Sequence, residues 1–274
     1  MENEELLPKV GAYKFQVEPF HCDFSNRLFP GHLGNGMLNA ADYHSSERGY
    51  GVAELNKNRK TWVLSRFAIE ILDMPKAYDK VEVQTWVESA KKFFTSRNYA
   101  VVSRDGAKAY AYGRSIWVMI NIDTRQPTDI YSVHDGLIEK YVETEKDCPI
   151  APPARVVIGQ DLELAREINI YYNDIDINGH LNSVKYIDHV LDLFDIDYYR
   201  THQLRRVDIA YVAEAHAGDV VRLYKAQVAE DEYVVKMTKK AEREVEIVRC
   251  KIKFVKDLKK SLVVLYKTVT FATN

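Results

Sequence analysis

The chain has 274 residues, 46% of them hydrophobic and 28% charged, with a formal net charge of -2. That balance suits one large domain or two of ordinary size with a packed core, and it gives no electrostatic reason to expect a nucleic-acid partner. No apolar run approaches the length of about eighteen residues that a membrane span needs. Cys22, Cys148 and Cys250 are too scattered for metal-like pairing and read as reduced thiols.

The first residues, Met-Glu-Asn-Glu-Glu, are acidic and resemble neither a secretion signal nor a transit peptide, so a cytoplasmic protein is expected. A helix is predicted over residues 33–48, directly after Gly31-His32. Four strands follow, over residues 59–72, 81–88, 93–102 and 109–122, rich in β-branched and aromatic residues that include Trp62, Trp86 and Trp117. Residues 131–160, bounded by Pro127 and by Pro149, Pro152 and Pro153, read as a connector with a short charged helical piece inside. A second Gly-His-Leu, Gly179-His180-Leu181, opens a second predicted helix over 183–199, whose Val184, Ile187, Leu191 and Phe194 form one apolar stripe. Strands are again predicted over 205–212, 220–229, 232–238 and 244–255. One helix and then four or five antiparallel strands, given twice, suggests an internal duplication. The expected class is α+β, with each half a sheet wrapped around a long helix. The halves are residues 1–130 and 161–274, with the connector between.

The chemistry concentrates in Asp174, Asp176, Asn178 and His180, alternate residues around a Gly and ahead of a helix, where free backbone N–H groups favour negative charge. A carboxylate, an amide and an imidazole there would suit polarising a carbonyl and aiming a water. Two plainer readings compete. Asp174-x-Asp176-x-Asn178-Gly179 copies the opening of an EF-hand loop, but the twelfth position is Lys185 rather than Glu, and a strand-like segment precedes the loop. Asn and Asp also serve ordinary turns and caps. The aligned stretch of the first half, from Phe24 to Pro30 ahead of His32, carries no Asp-x-Asn-x-His.

From Asp174 to Ile187 the sequence resembles the active-site segment of the acyl-ACP thioesterases, which reads Asp-x-Asp-x-Asn-x-His-x-Asn-Asn-Val-x-Tyr-Ile. Tyr211-Val212-Ala213-Glu214-Ala215 is similar to the family's Tyr-Arg-Arg-Glu-Cys. Further similarity lies in residues 62–66 and 81–87 and in Ser115 to Asn121 followed by Thr124-Arg125, so it covers roughly residues 28–255. The resemblance implies a double hot-dog fold, with an acyl-chain-binding N-terminal half and a catalytic C-terminal half. It also implies hydrolysis of fatty acyl-ACP to free fatty acid, terminating elongation. Asp176, Asn178, His180 and Glu214 are the implied catalytic residues. Acyl carrier protein is the implied partner, and neither cofactor nor metal is expected. A homodimer is compatible with it. Two positions depart from the pattern. The family's Cys after Glu is Ala215, which excludes a thiolate there. Gly179 stands for the family's Gln, which makes the segment also resemble hot-dog acyl-CoA thioesterases. An acyl-CoA thioesterase, or an inactive acyl-binding hot-dog protein, are the alternatives.

Within the resemblance, Glu214 is expected to take a proton from water that His180 and Asn178 orient, with Asp176 fixing Asn178 or nearby backbone. The rival assignment makes Asp176 the base or a transient nucleophile. Asp174 and Asn182 read as turn and cap residues, His32 and His44 as structural, and His189 has no evident partner. Met37, Leu38, Ala40 and Ala41 are a candidate channel lining, with core packing the plainer role for at least half of them. Lys91, Lys92 and Arg97, or Lys239, Lys240 and Arg243, are candidate docking charges for an acidic carrier.

Overall fold

A computed structural model describes residues 6–257 and divides the chain into two compact units, Met1–Ala154 and Arg155–Asn274. The first unit contains β1 (Gly11–Gln16), α1 (Pro30–Glu47), α2 (Val52–Lys57), β2 (Lys60–Ile71), β3 (Lys80–Ala90), β4 (Phe94–Ser103) and β5 (Ala109–Asn121). Its strands are antiparallel in the order β1-β3-β4-β5-β2. α1 lies against β3, burying Leu33, Met37, Ala40, Ala41 and His44 at helical spacing. The close approach of α1 requires Gly113 on β5, where a Cβ would stand 2.9 Å from Met37 Sδ and 3.1 Å from the Tyr99 ring.

The second unit contains β6 (Glu163–Asn169), α3 (Ser183–Leu191), α4 (Ile196–Thr201), β7 (His202–Tyr211), β8 (Val220–Ala229), β9 (Glu232–Lys239) and β10 (Val245–Lys256). Its strand order, β6-β8-β9-β10-β7, repeats that of the first unit element for element. α3 turns Val184, Tyr186, Ile187, Val190 and Leu191 inward, each buried aliphatic side chain contributing about 1.5–3 kcal/mol. Both units therefore show the helix-on-sheet form of a hot dog.

Four features differ from the sequence reading. The second helix is not continuous to residue 199. It stops at Leu191 and restarts at Ile196, because Asp195 caps a new helix by accepting a hydrogen bond from Tyr198 N–H. Phe194, in the break, packs with Tyr233 and Phe254. Secondly, β1 adds a strand ahead of α1 that its short, polar-spaced sequence did not reveal. Thirdly, residues 131–154 pack on the first unit. Ile130, Val133 and Ile138 join Tyr50, Leu55 and Met119 in one core cluster, and Cys148 and Ile150 join Trp86 and Ala100 in another. Arg97 is also no docking charge. It is 6% exposed, with its guanidinium donating to Thr85 Oγ1 and Ser45 Oγ. Among the described residues no helix is long and apolar enough to cross a membrane.

Candidate active site

The site is built on the loop between β6 and α3 and the loop between β7 and β8. In the first, Asp176 is the staple. Its Oδ1 accepts from the N–H groups of Asn178 (2.8 Å) and His180 (3.2 Å), while Asp176 N–H donates to His180 O. Gly179 closes the turn at φ 80°, a conformation that costs glycine little. Asn182 caps α3 through Val184 N–H. Asn178 contributes its backbone N–H to the turn and has an exposed side chain.

The second loop carries Glu214. Ala215 between Glu214 and His216 is fully buried and fixed at both ends. Its N–H donates to the Tyr186 hydroxyl, and its carbonyl accepts from Leu181 N–H at 2.7 Å. That second bond ties the two loops together, and it brings Glu214 Oε2 to 3.4 Å from His180 Nε2. Both side chains are about one-third exposed, so solvent reaches the pair. Lys239 Nζ donates to the Glu214 carbonyl and approaches Asp219, bracing the loop from β9.

One contributor, Tyr186, was not singled out in the sequence, and two others gain partners or a role that it left open. Tyr186 receives Ala215 N–H, and burial, with the carboxylates of Glu214, Asp219 and Asp176 nearby, pushes its pKa up to about 12, so the phenol stays protonated. His189, for which no partner was evident, meets Asp174 (Nε2 to Oδ1, 3.1 Å) and ties the loop to the C-terminal half of α3. The i to i+15 spacing of that pair carries no local periodicity. Ser183 N–H has no acceptor among the described residues, whereas Asn182, Val184 and Lys185 N–H are all engaged. The calcium reading fails on geometry. Asp174 is spent on Tyr171 N–H and His189, and Asp176 on its own turn. The segment entering the loop is β6, not a helix.

The first unit contains the same loop with other side chains. Asp23 Oδ1 accepts from Ser25 N–H (2.7 Å) and Arg27 N–H (3.1 Å), Asp23 N–H donates to Arg27 O, and Leu28 N–H donates to Pro75 O. Asn26 takes the positive φ, 59°. These bonds align Asp23 with Asp176, Ser25 with Asn178, Arg27 with His180 and Met74 with Glu214. The repeat is thus registered on Asn26-Arg27-Leu28, and the Gly31-His32-Leu33 match is displaced by five residues into α1. His32 instead stacks on His21 at 3.9 Å.

Comparison with known proteins agrees with this architecture. Residues 8–141 match the acyl-ACP thioesterase N-terminal domain and residues 160–256 the acyl-ACP thioesterase C-terminal domain. The crystal structure of an acyl-ACP thioesterase from Bacteroides thetaiotaomicron superposes with a TM-score of 0.83 at 45% identity, covering 90% of this chain and 98% of that one. The 12:0-ACP thioesterase from Umbellularia californica shares the fold, with a TM-score of 0.80 at 18% identity, over 92% of this chain and all of its own. The chloroplastic oleoyl-acyl carrier protein thioesterase of Coriandrum sativum is 30% identical over 82% of this chain. This chain spans slightly under two thirds of that relative's length, 64%.

Proposed function

The chain belongs to the acyl-ACP thioesterase family, and on that premise we propose that it hydrolyses the thioester of fatty acyl-ACP to free fatty acid, with chemistry in the second unit. The observation that carries the proposal is the solvent-reached pair of Glu214 and His180, 3.4 Å apart. Water bound against both side chains loses a proton to Glu214 as its oxygen attacks the thioester carbonyl. His180 holds that water by hydrogen bonding. The carbonyl oxygen gains negative charge, which Ser183 N–H at the start of α3 is available to stabilise, a contribution of about 3 kcal/mol for one such donor. When the C–S bond breaks, the proton on Glu214 passes to the departing thiolate, which leaves as the thiol.

Asp176 is a positioning residue in this account. Asp23 makes the same two hydrogen bonds in a loop where Arg27 and Met74 stand at the positions of His180 and Glu214, so the staple serves the turn whatever chemistry follows. This favours Glu214 over Asp176 as base. The first unit binds the acyl chain in this proposal, with Met37, Ala40 and Ala41 committed to packing under α1. Lys91 and Lys92, and on the other unit Lys240 and Arg243, are exposed and suit an acidic carrier. The three free cysteines support a reducing, cytosolic setting.

Turnover on acyl-ACP and acyl-CoA at matched chain length tests the carrier. Preference for acyl-ACP, weakening as salt rises, is expected. Equal or better turnover on acyl-CoA would favour the acyl-CoA reading that Gly179 raises. Absence of hydrolysis on every thioester, with acyl binding retained, would make the protein a binding scaffold.

A further inference from the structure

We propose that His180, Glu214 and His216 form a binding site for a divalent cation of the zinc class. One ligand atom from each residue lies within 4.8 Å of the other two. The His180 Nε2 to Glu214 Oε2 separation of 3.4 Å already equals the edge of a tetrahedron with zinc-like bond lengths, roughly 3.4 Å for arms of about 2.0–2.1 Å. His216 closes the third corner by a side-chain rotation. Its ring meets that of His180 edge to face, with centroids 5.0 Å apart, and it is half-exposed, which leaves an entry path for an ion.

Two imidazoles and one carboxylate suit zinc-class ions, whereas magnesium and calcium prefer oxygen-only sets. The surroundings supply the usual outer support of such a site. Asp219 accepts His216 N–H at 2.9 Å and lies 3.9 Å from Nδ1 of the same ring, near enough for the rotation that closes the site to bring Nδ1 to this carboxylate and leave Nε2 for the ion. The Lys239 ammonium is engaged by the Glu214 carbonyl and by Asp219. The backbone carrying two of the ligands is held through Ala215, so little loop ordering accompanies binding. Three protein ligands leave a fourth position for water.

The first unit provides an internal contrast. Lys76 N–H donates to Asp79 Oδ2 just as His216 N–H donates to Asp219 Oδ2. The positions matching His180, Glu214 and His216 are therefore Arg27, Met74 and Lys76, two cations and a thioether that repel or ignore a divalent ion. The sequence hides the trio because His180 lies far from the Glu214-x-His216 pair and neither carries a metal-like spacing alone.

Cation binding stands apart from the hydrolase reading. Its consequence rests on that reading: an ion that takes the lone pairs of Glu214 and His180 stops water activation. The test titrates the purified full chain with Zn2+ by calorimetry and with Co2+ by visible absorption, without substrate, and in parallel follows acyl-ACP hydrolysis against free Zn2+. A single tight equivalent with a tetrahedral Co2+ spectrum is expected. His216→Ala, and His216→Gln as a second variant, should weaken binding at least about tenfold. Both should keep metal-free hydrolysis and shift the inhibition curve by the same factor. A folded protein that takes up neither ion, or His216 variants that bind as tightly as the wild type, would overturn the site. Binding without loss of hydrolysis would uphold the cation site and instead overturn the catalytic assignment of His180 and Glu214.

Discussion

The loops preceding α1 and α3 share one backbone and differ in what they present. Each is closed by an aspartate that accepts two N–H groups across a residue of positive φ, and each is tied to the strand-end loop opposite by a leucine N–H. In the first unit the closed turn displays Arg27 beside a loop that carries Met74. In the second it displays His180 against Glu214. The fold requires the aspartate in both places and requires the histidine and glutamate in neither. Comparing the repeats therefore separates residues that make the loop from residues proposed to carry the chemistry, a separation that one copy alone does not give.

The comparison breaks most visibly if the second loop is rewritten as the first. His180→Arg with Glu214→Met should lower single-turnover hydrolysis of acyl-ACP by about four orders of magnitude or more, since general acid–base assistance alone is worth about 10²–10⁴-fold. The far-ultraviolet spectrum and the melting temperature should stay near those of the parent. Residual turnover within tenfold of the parent would place the chemistry elsewhere. His180→Gln alone should lose about a hundredfold.

The staples sharpen the comparison from the other side. Asp23→Ala and Asp176→Ala each remove a carboxylate that holds two N–H groups, and each should cost about 1.5–3 kcal/mol in denaturant unfolding. Only the second should also slow hydrolysis. Similar loss of activity from both would mean that the first loop has a chemical part the account does not give it.

The first unit also carries a pH liability of its own. Burial, with Arg97 and Arg48 beside it, pushes the His44 pKa down to about 3. The unfolded chain, with an ordinary histidine pKa of about 6.5, binds the proton first as pH falls. Stability is therefore full above about pH 6.5 and is lost progressively toward pH 3, by about 2 kcal/mol at pH 5. Unfolding measured from pH 7 to pH 4 should show this slope, and His44→Gln should flatten it. The smallest effect concerns docking: Lys240→Glu with Arg243→Glu should raise KM for acyl-ACP a few-fold at low salt and little at high salt. An unchanged KM would move docking to Lys91 and Lys92.

Much of this was legible in the residues. Strands such as β5 and β8 announce themselves by β-branched and aromatic runs, and most of α1 was expected from the segment that follows Gly31-His32. The duplication was legible as order but not as register. Gly-His-Leu occurs in both halves, yet hydrogen bonds rather than letters decide which residues correspond, and they select Asn26-Arg27-Leu28. The break at Asp195 was hidden because Phe194 continues the apolar stripe of α3 by spacing alone. Arg97 looked like surface charge because strand alternation does not say which face the helix covers. In the site, Asp176 and His180 follow from local sequence. The meeting of His180 with Glu214 depends on Leu181 N–H reaching Ala215 O, a pairing across the fold that only the resemblance foreshadowed.

The claim that Glu214, and not Asp176, takes the proton is tested most directly by single-turnover hydrolysis of acyl-ACP with Glu214→Gln and Asp176→Asn measured side by side. The account predicts that Glu214→Gln loses about a thousandfold while its melting temperature holds, and that Asp176→Asn, whose amide oxygen still accepts the two N–H groups, loses no more than about tenfold. Near-full turnover by Glu214→Gln, or the larger loss in Asp176→Asn, would contradict it.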